Sequence, residues 1–517
     1  MEIKEYTDSA AVNLAIDTIV KGKQALVFCS TRASSEATAE KIAKEQKTND
    51  LELDNLSEQI LKALAAPTKQ CRRLAMCVKK GIAFHHAGLA SSQRAAIEEG
   101  FKKGTIKIIC STPTLAMGVN LPAFRTIIKD LKRYGGRWGM EWIPTLEYHQ
   151  MAGRAGRPDF NDTHGEAICI AGSEKDVEDI ISKFITAPPE NIYSKLAAEP
   201  ALRTYCLSLL ATGFAKSRQD LISFFSKTFY GKQYGDMEKV ESILVKILGY
   251  LEDWEFIRTP EKGDFVSARD LDSGRIEVTK LGERVAQLYL DPLTANQIMV
   301  ALRKATQKSH ASISFIQMAA STLELRPLPT VRASEAQNIE SMVPEMEKEL
   351  IGPIPGFFDH DYEDFLKSVK LSLAIYDWME EKNEEEILER FNIPPGEIHL
   401  KKELMIWILY SAAELGSLMG FNQLLPEIRK ASYRIEKGVK EELIPLTRIK
   451  NIGRVRARIL FRNGIKDMGD IKKADIMKLR QLIGDKLSHD LKKEVYEDVE
   501  PVPDGKRKGQ LGLGKFD

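Results

Sequence analysis

Short apolar runs alternate with amphipathic stretches over the first ~190 residues. Runs at 25–29, 82–85, 106–110, 126–128 and 167–171 have the length and composition of buried strands. Segments with helical spacing of apolar residues lie between them, for example 34–46 and 92–102. This alternation predicts a parallel sheet covered by helices on both faces. We therefore expect residues 1–190 to form an α/β lobe.

The pattern changes after Pro188-Pro189. Residues 195–290 contain helical stretches followed by a short strand pair, which fits a winged helix. The chain is then almost wholly helical to residue 430, and this predicts a helical bundle over 291–430. Short helices with the dipeptides Ile452-Gly453 and Ile483-Gly484 follow over 431–497. Residues 498–517 are rich in Pro, Gly and Lys and predict a flexible tail. The fold class is thus multidomain, α/β followed by α.

Composition excludes some classes of protein. The 517 residues include 75 Lys and Arg and 74 Asp and Glu, so a protein bound to nucleic acid over its whole surface is excluded, although local basic patches are not. Six cysteines without a C-x-x-C pair predict reduced core thiols of a cytoplasmic protein. The spacing of Cys71, Cys77, His85 and His86 matches no usual zinc site, so no metal is expected. The longest apolar stretch contains Glu414, so it predicts a buried helix and no membrane span.

The segment Gln150-Met-Ala-Gly-Arg154-Ala-Gly-Arg157-Pro carries the sharpest chemical signal. Arg154 and Arg157 lie three residues apart, on one face of a helical turn. Two fixed guanidinium groups suit the γ-phosphate of a nucleotide, and the small residues let another surface approach. Gln150, Arg154 and Arg157 are therefore the catalytic candidates; the alternative is an ordinary exposed arginine pair.

A polar loop follows the strand at 106–110. Thr112 and Thr114 offer hydroxyl groups, and Gly118 and Asn120 permit tight backbone geometry. Ligands of α/β sheets bind at the carboxyl ends of parallel strands, so this loop is a candidate phosphate-binding segment. The alternative is a plain connection between a strand and a helix.

These segments occur in order with Leu-Val-Phe-Cys-Ser-Thr-Arg at 26–32 and Phe-His-His-Ala-Gly-Leu at 84–89. The set resembles motifs IV, IVa, V and VI of superfamily 2 helicases of the Ski2-like branch. The downstream order resembles the archaeal Hjm-type DNA repair helicases over essentially the whole chain to residue ~497. The resemblance implies a second RecA-like lobe, a winged helix, a helical ratchet bundle and a helix-hairpin-helix domain.

The resemblance also implies roles for single residues. Arg154 and Arg157 would reach ATP held by a first lobe, with Gln150 coupling hydrolysis to movement. The side chains expected to face the backbone of the tracked DNA strand are those of Arg32, His86 and Thr112. Residues 132–142 would form a β-hairpin that separates the strands through Tyr134, Arg137, Trp138 and Trp142, because glycines permit the turn and aromatic rings stack on bases. The alternative is a surface loop whose aromatic rings pack on the lobe.

The basic helices downstream would bind single-stranded DNA. In the ratchet helix Trp407 would stack on a base, and Lys401 or Lys402 would replace a basic residue that the family has where Leu400 stands here. The alternative for Trp407 is a core position. In the helix-hairpin-helix domain, backbone amides after Gly453 would hold a phosphate, with added charge from Arg454, Arg456 and Arg458.

One departure from the family concerns its first lobe. Neither G-x-x-x-x-G-K-[ST] nor D-E-x-H occurs in the 517 residues. A phosphate cradle requires those backbone amides and that lysine. We therefore expect the C-terminal portion of a helicase, inactive alone as an ATPase, whose partner is a missing first RecA-like lobe. ATP and Mg²⁺ would serve the complete enzyme.

The last residues carry Gln510, Leu513 and Phe516, which resemble a peptide that docks on sliding clamps; an inert tail is the alternative. The whole resemblance implies a 3′–5′ DNA helicase that unwinds forked DNA in the repair or restart of stalled replication forks, acting on single-stranded and forked DNA. Two alternatives stay open: a non-catalytic DNA-binding remnant and a relative that acts on RNA.

Overall fold

The computed structural model describes residues 3–48, 50–64, 66–134, 139–156, 162–196, 198–235, 237–259, 275–307 and 311–497. Several predicted site residues lie outside these ranges, namely Arg137, Trp138, Arg157, Gln510, Leu513 and Phe516. The chain forms two compact units. The first is Met1–Asn296 with Asn383–Lys401, and the second is Gln297–Lys382 with Lys402–Asp517.

A five-stranded parallel sheet organises the first unit, with the strand order β2-β3-β1-β4-β7. Its strands are β1 (Ala25–Phe28), β2 (Ile82–His85), β3 (Ile108–Ser111), β4 (Arg125–Ile128) and β7 (Glu166–Cys169). All five predicted strands are confirmed, within two residues at each end. Strands β1 to β4, which include the edge strand β2, are buried along their whole length because helices cover both faces.

The described part of the lobe contains eight helices, of which α1 precedes the sheet and the others lie between or after its strands. They are α1 (Ala10–Val20), α2 (Arg32–Lys44), α3 (Leu51–Leu61), α4 (Lys69–Val78), α5 (Ser91–Lys102), α6 (Thr114–Gly118), α7 (Thr145–Ala152) and α8 (Glu174–Ile180). A π-helical turn, Ile181–Ile185, continues α8. A separate antiparallel pair, β5 (Lys132–Tyr134) and β6 (Met140–Trp142), stands apart from the main sheet.

Arg125 is a fully buried cation within the lobe core. Its guanidinium group lies 2.9 Å from Asp17 on α1 and 2.6 Å from Glu166 on β7, and it also donates to the carbonyl of Leu14. A buried charge is tolerated only when it is paired and hydrogen-bonded. Arg125 therefore fixes α1 and two neighbouring strands to each other, close to the point where the chain later returns with its arginine motif.

The rest of the first unit is helical with a small two-stranded sheet. The helices are α9 (Glu199–Ala211), α10 (Arg218–Ser226), α11 (Phe229–Tyr234), α12 (Met237–Asp253) and α13 (Lys280–Gln287). Strands β8 (Ile257–Arg258) and β9 (Glu277–Val278) pair antiparallel between α12 and α13. Three helices followed by a strand pair agree with the predicted winged helix.

The remaining helices form the bundle and the small C-terminal helices. They are α14 (Pro292–Ala305), α15 (Ser312–Ala320), α16 (Ala333–Met346), α17 (Tyr362–Met379), α18 (Glu384–Phe391), α19 (Pro395–Leu418), α20 (Leu425–Lys437), α21 (Ile444–Thr447), α22 (Arg454–Arg462), α23 (Met468–Lys473), α24 (Ile476–Ile483) and α25 (Asp485–Glu497). Among the described helices, none is both long and apolar enough to cross a membrane. Five of the six cysteines are buried, and Cys169 is half-buried; all six are free thiols.

Candidate nucleotide and nucleic-acid interface

The arginine motif is built on α7 and returns to the sheet. Gln150 lies in the last turn of α7, and the chain then leaves the helix at Gly153. The amide of Ala123 donates to the carbonyl of Arg154 at 2.9 Å, and the amide of Gly156 donates to the carbonyl of Ala123 at 2.7 Å. Gly156 has φ +99°, a conformation that disfavours residues with a Cβ. Backbone pairing thus joins the arginine motif to the end of the Thr112–Ala123 loop.

The Arg154 side chain contacts the same loop. We call residues 150–156, together with the Thr112–Ala123 loop, the arginine corner of the lobe. Its guanidinium group donates to the carbonyl of Ala116, with Nε at 3.1 Å, and lies 3.4 Å from Oδ1 of Asn120. Ala116 lies near the carboxyl end of α6, where backbone carbonyls carry partial negative charge. Gln150 points a buried Oε1 that has no hydrogen-bond partner among the described residues. The structure therefore brings Arg154 to the predicted loop, where Thr112 Oγ1 lies 2.9 Å from Thr114 Oγ1. Gln150 lies one turn earlier in the chain, on α7.

A residue that sequence reasoning missed caps α7. Pro144 precedes the helix and offers no side-chain cap. The carboxylate of Glu190, which directly follows Pro188-Pro189, accepts from the backbone amides of Thr145 and Leu146, the latter at 2.9 Å. Burial opposes the charge, but these backbone hydrogen bonds outweigh it and lower the pKa of Glu190 to about 2. The absent cap at Pro144 is the one sequence signal that α7 needs a partner from elsewhere.

The segment predicted to form a β-hairpin contains the antiparallel pair β5 and β6, with Lys132 opposite Trp142 and Tyr134 opposite Met140. The Trp142 ring does not project from it. Lys132 Nζ lies 4.1 Å and Lys183 Nζ 4.8 Å from the ring centroid. The position of Trp142 at the base of the hairpin agrees with the alternative of packing on the lobe. An unpredicted ion pair, Arg133 with the buried Glu147 at 3.0 Å, ties β5 to α7.

Of the residues expected to face DNA in the lobe, Arg32 and Thr112 are accessible and His86 is not. Arg32 begins α2, and its Nη1 lies 3.1 Å from a carboxylate oxygen of Glu397. His86 is 1% exposed and forms a 3.0 Å hydrogen bond with Glu36. The expectation for the His86 side chain was wrong, because the chain enters a turn directly after β2 and both histidines point into the protein.

Predicted DNA contacts in the second unit converge on one indole ring. Lys402 Nζ lies 3.6 Å from the centroid of Trp378, and the guanidinium carbon of Arg454 lies 4.3 Å from it. Trp378 is 6% exposed, and its Nε1 donates to the carbonyl of Ile435 at 2.9 Å. Two cations on one aromatic ring form a strong attachment. Sequence reasoning missed Trp378, since nothing local connects it to α19 or α22.

Two further basic residues of α22, Arg456 and Arg458, also have protein partners. Arg458 pairs with Glu381 and with Glu442, the latter at 2.9 Å, and these hydrogen bonds raise the pKa of Arg458 further above its usual value. Arg456 donates to the carbonyl of Asn451 at 2.9 Å. Helix α22 begins after Gly453 without a side-chain cap. Trp407 is half-buried on α19, and its carbonyl accepts from Ser411.

Three family domains match the chain in order. They are the helicase conserved C-terminal domain at residues 10–159, a helix-turn-helix domain at 165–258 and the archaeal helicase domain 4 at 313–438. With the parallel sheet and the arginine corner, they define a superfamily 2 helicase of the Ski2-like branch, with a RecA-like lobe, a helix-turn-helix domain and helical domains.

Similarity to individual proteins narrows this class. The chain is 37% identical to the ATP-dependent DNA helicase Hel308 of Methanococcus vannielii, over 99% of this chain and 70% of the relative. It is 37% identical to that of Methanocella arvoryzae over 95% and 65%, and 35% identical to that of Pyrococcus horikoshii over 96% and 67%. The chain belongs to the Hel308 family of ATP-dependent DNA helicases and spans about two thirds of the length of these relatives. The predicted family is confirmed.

Proposed function

We propose that this chain is the DNA-tracking part of an ATP-dependent helicase that moves 3′ to 5′ and unwinds forked DNA at stalled replication forks. The observation that carries the proposal is that Arg154 meets the Thr112–Ala123 loop through both its backbone and its side chain, directly after the helix that carries Gln150. Membership of the Hel308 family supports DNA as the substrate.

The residues present fit one side of a nucleotide. Gln150 presents an unpartnered buried oxygen, and Arg154 presents a guanidinium group whose present acceptors are backbone and amide oxygens. A phosphate of ATP would be a stronger, charged acceptor for the same donors. ATP, bound with Mg²⁺, supplies the free energy of phosphoanhydride hydrolysis. Since the sequence contains no G-x-x-x-x-G-K-[ST], we propose that a first RecA-like lobe provides the main cradle.

We propose that the DNA path uses exposed donors and one ring. Arg32 and Thr112 in the lobe, Trp407 on α19, and the amides after Gly453 with Arg456 would contact the strand. Three more cations would contact the strand only after a phosphate displaces their present partners. Lys402 and Arg454 would leave the Trp378 ring, and Arg458 would leave Glu381. The hairpin β5–β6 would meet the duplex, with Trp142 supporting its base.

The domain limits and the tail complete the proposal. We propose a lobe at 1–190, a winged helix at 195–290, a ratchet bundle at 291–430 and a helix-hairpin-helix domain at 431–497. The tail residues Gln510, Leu513 and Phe516 would dock on a sliding clamp.

Binding and hydrolysis by the full chain test the proposed function. Fluorescence anisotropy should show tighter binding to a DNA fork than to an RNA fork of the same sequence. Hydrolysis of ATP should be absent from the chain alone and appear when it is joined to a P-loop lobe from a relative. Equal affinity for the RNA fork would favour an RNA helicase, and no hydrolysis after joining would favour a non-catalytic DNA-binding protein. Robust hydrolysis by the chain alone would contradict the proposal that a first RecA-like lobe is required.

A further inference from the structure

The turn after β2 and the start of α19 meet backbone to backbone. The amide of Gly396 donates to the carbonyl of Gly88 at 3.1 Å. A Cβ built on Gly396 would clash with the carbonyl oxygens of Ala87 and Leu89 and lie 2.9 Å from the carbonyl carbon of Gly88. Only glycine fits at this position without displacing backbone. We call this contact, residues 87–89 with 394–397, the glycine joint.

His86 fixes the turn side of the glycine joint from within the core. Its Nδ1 accepts from the amide of Gly88 at 3.1 Å, so Nε2 carries the proton and donates to Glu36 at 3.0 Å. Glu36 also accepts from Gln70 and Arg73, each at 2.6 Å. Burial opposes the charge of Glu36, but these donors outweigh it and lower its pKa. The turn is thereby held in one conformation through His86 by a carboxylate that accepts three side-chain hydrogen bonds.

Side-chain pairs hold the helix side of the glycine joint. Arg32 lies 3.1 Å from Glu397, in the first turn of α19. The amide of Lys69 donates to Glu385 at 2.6 Å, and Lys69 Nζ lies 2.6 Å from Glu389. Residues 383–401 accordingly belong to the same compact unit as the lobe, although residues 297–382 of the second unit separate them in the chain from the rest of it.

We propose that the glycine joint is the mechanical connection through which the lobe positions the ratchet helix, with Gly88, Gly396 and His86 as positioning residues. This proposal rests on the proposed function, because it gives Trp407 a role on DNA. Trp407 follows Gly396 on the same helix by about three turns at 3.6 residues per turn. Arg32 adds a second link, because its ion pair with Glu397 holds the first turn of α19 to the start of α2.

Hydrogen exchange of the full chain, free and saturated with single-stranded DNA, tests the joint. In the wild type we expect bound DNA to slow exchange of the peptide over 82–90 at least about fivefold, since order at α19 is passed to the turn. In Gly396→Ala we expect less than about a twofold change, although the DNA still binds. Gly416→Ala is the matched control, because it makes the same substitution on the same helix at a site where the Cβ has ordinary contacts of 3.4 Å or more.

Each outcome decides the matter. Protection of 82–90 by DNA in Gly396→Ala equal to that in the wild type would overturn the joint, since DNA would then reach the turn directly. If Gly396→Ala does not fold, Glu397→Gln replaces it. We then expect saturating DNA to slow exchange at 82–90 less than in the wild type, and an equal slowing would contradict the proposal. If the wild type binds no DNA, the proposed function fails. The glycine joint is then tested by comparing hydrogen exchange of the DNA-free wild type and the DNA-free Gly396→Ala. Faster exchange at 87–89 in Gly396→Ala would then support it, and equal exchange would overturn it.

Discussion

The arginine corner of the lobe and the Trp378 cluster of the second unit both hold basic side chains, but in different ways. Arg154 donates to the carbonyl of Ala116 and lies 3.4 Å from the amide oxygen of Asn120, and Gln150 has a buried Oε1 without a hydrogen-bond partner among the described residues. Lys402 and Arg454 cover an indole ring, and Arg458 is paired with two carboxylates. A phosphate can replace neutral acceptors more readily than charged ones. If phosphates bind as proposed, the arginine corner of the lobe exchanges neutral acceptors for a phosphate. The second unit must first give up its contacts with the Trp378 ring and with carboxylates.

The largest expected effect tests the lobe corner. Arg154→Ala should lower the ATPase rate of the enzyme completed with a P-loop lobe by about 10³-fold or more, the range known for arginines that stabilise phosphoryl transfer. Binding of single-stranded DNA by the chain should change less than about twofold, because Arg154 is not one of the proposed DNA contacts. Steady-state hydrolysis and anisotropy measure the two quantities. Arg133→Ala is the control; a loss of hydrolysis as large as that of Arg154→Ala would contradict a special role for Arg154.

The next effect tests whether the Trp378 cluster is structural. Trp378→Ala should lower the free energy of unfolding by about 3–5 kcal/mol, since a buried ring and two cation contacts are lost together. Trp378→Phe should cost clearly less, because it keeps an aromatic face for the two cations, although it loses the pyrrole part of the ring and its hydrogen bond to Ile435. Urea unfolding measures both. Equal losses in the two variants would mean that the hydrogen bond and not the ring holds the cluster.

How far the sequence foretold these two regions differs for a physical reason. The five strands and the arginine motif depend on local periodicity and on residues close in the chain, so they were predictable. Lys402 and Arg454 reach Trp378 from other helices, and a basic residue alone does not reveal whether a phosphate or a ring will satisfy it. The prediction for His86 was wrong for a related reason. A polar residue after a strand can point into the core when a buried carboxylate, here Glu36, accepts its hydrogen bond.

A smaller effect asks whether internal carboxylates restrain DNA binding. Glu381→Gln should leave Arg458 with one carboxylate partner, Glu442, and so make it easier for a phosphate to capture. We expect single-stranded DNA binding to strengthen by about 3- to 10-fold at low salt, with a salt dependence steeper by about one phosphate contact. Anisotropy titrations at several salt concentrations measure this. Glu436→Gln is the control, because Glu436 pairs only with its neighbour Lys437 on an exposed surface. Unchanged affinity in Glu381→Gln would show that Arg458 is a structural residue and does not contact DNA.

The smallest effect concerns the cap on α7, on which the lobe corner is built. The pKa of Glu190 is about 2 in the folded chain, below its unfolded value of about 4.3, so the cap stabilises the fold above pH ~4.3 and is lost as pH falls through 2. Because Glu190 is exposed, solvent screening limits the effect to less than about 1 kcal/mol. Exchange of the Thr145 and Leu146 amides should accelerate over this window beyond the ordinary pH trend of exposed amides. In Glu190→Gln that extra acceleration should be absent. If it persists in Glu190→Gln, another carboxylate caps α7, and the linker after the lobe does not hold the helix that carries Gln150.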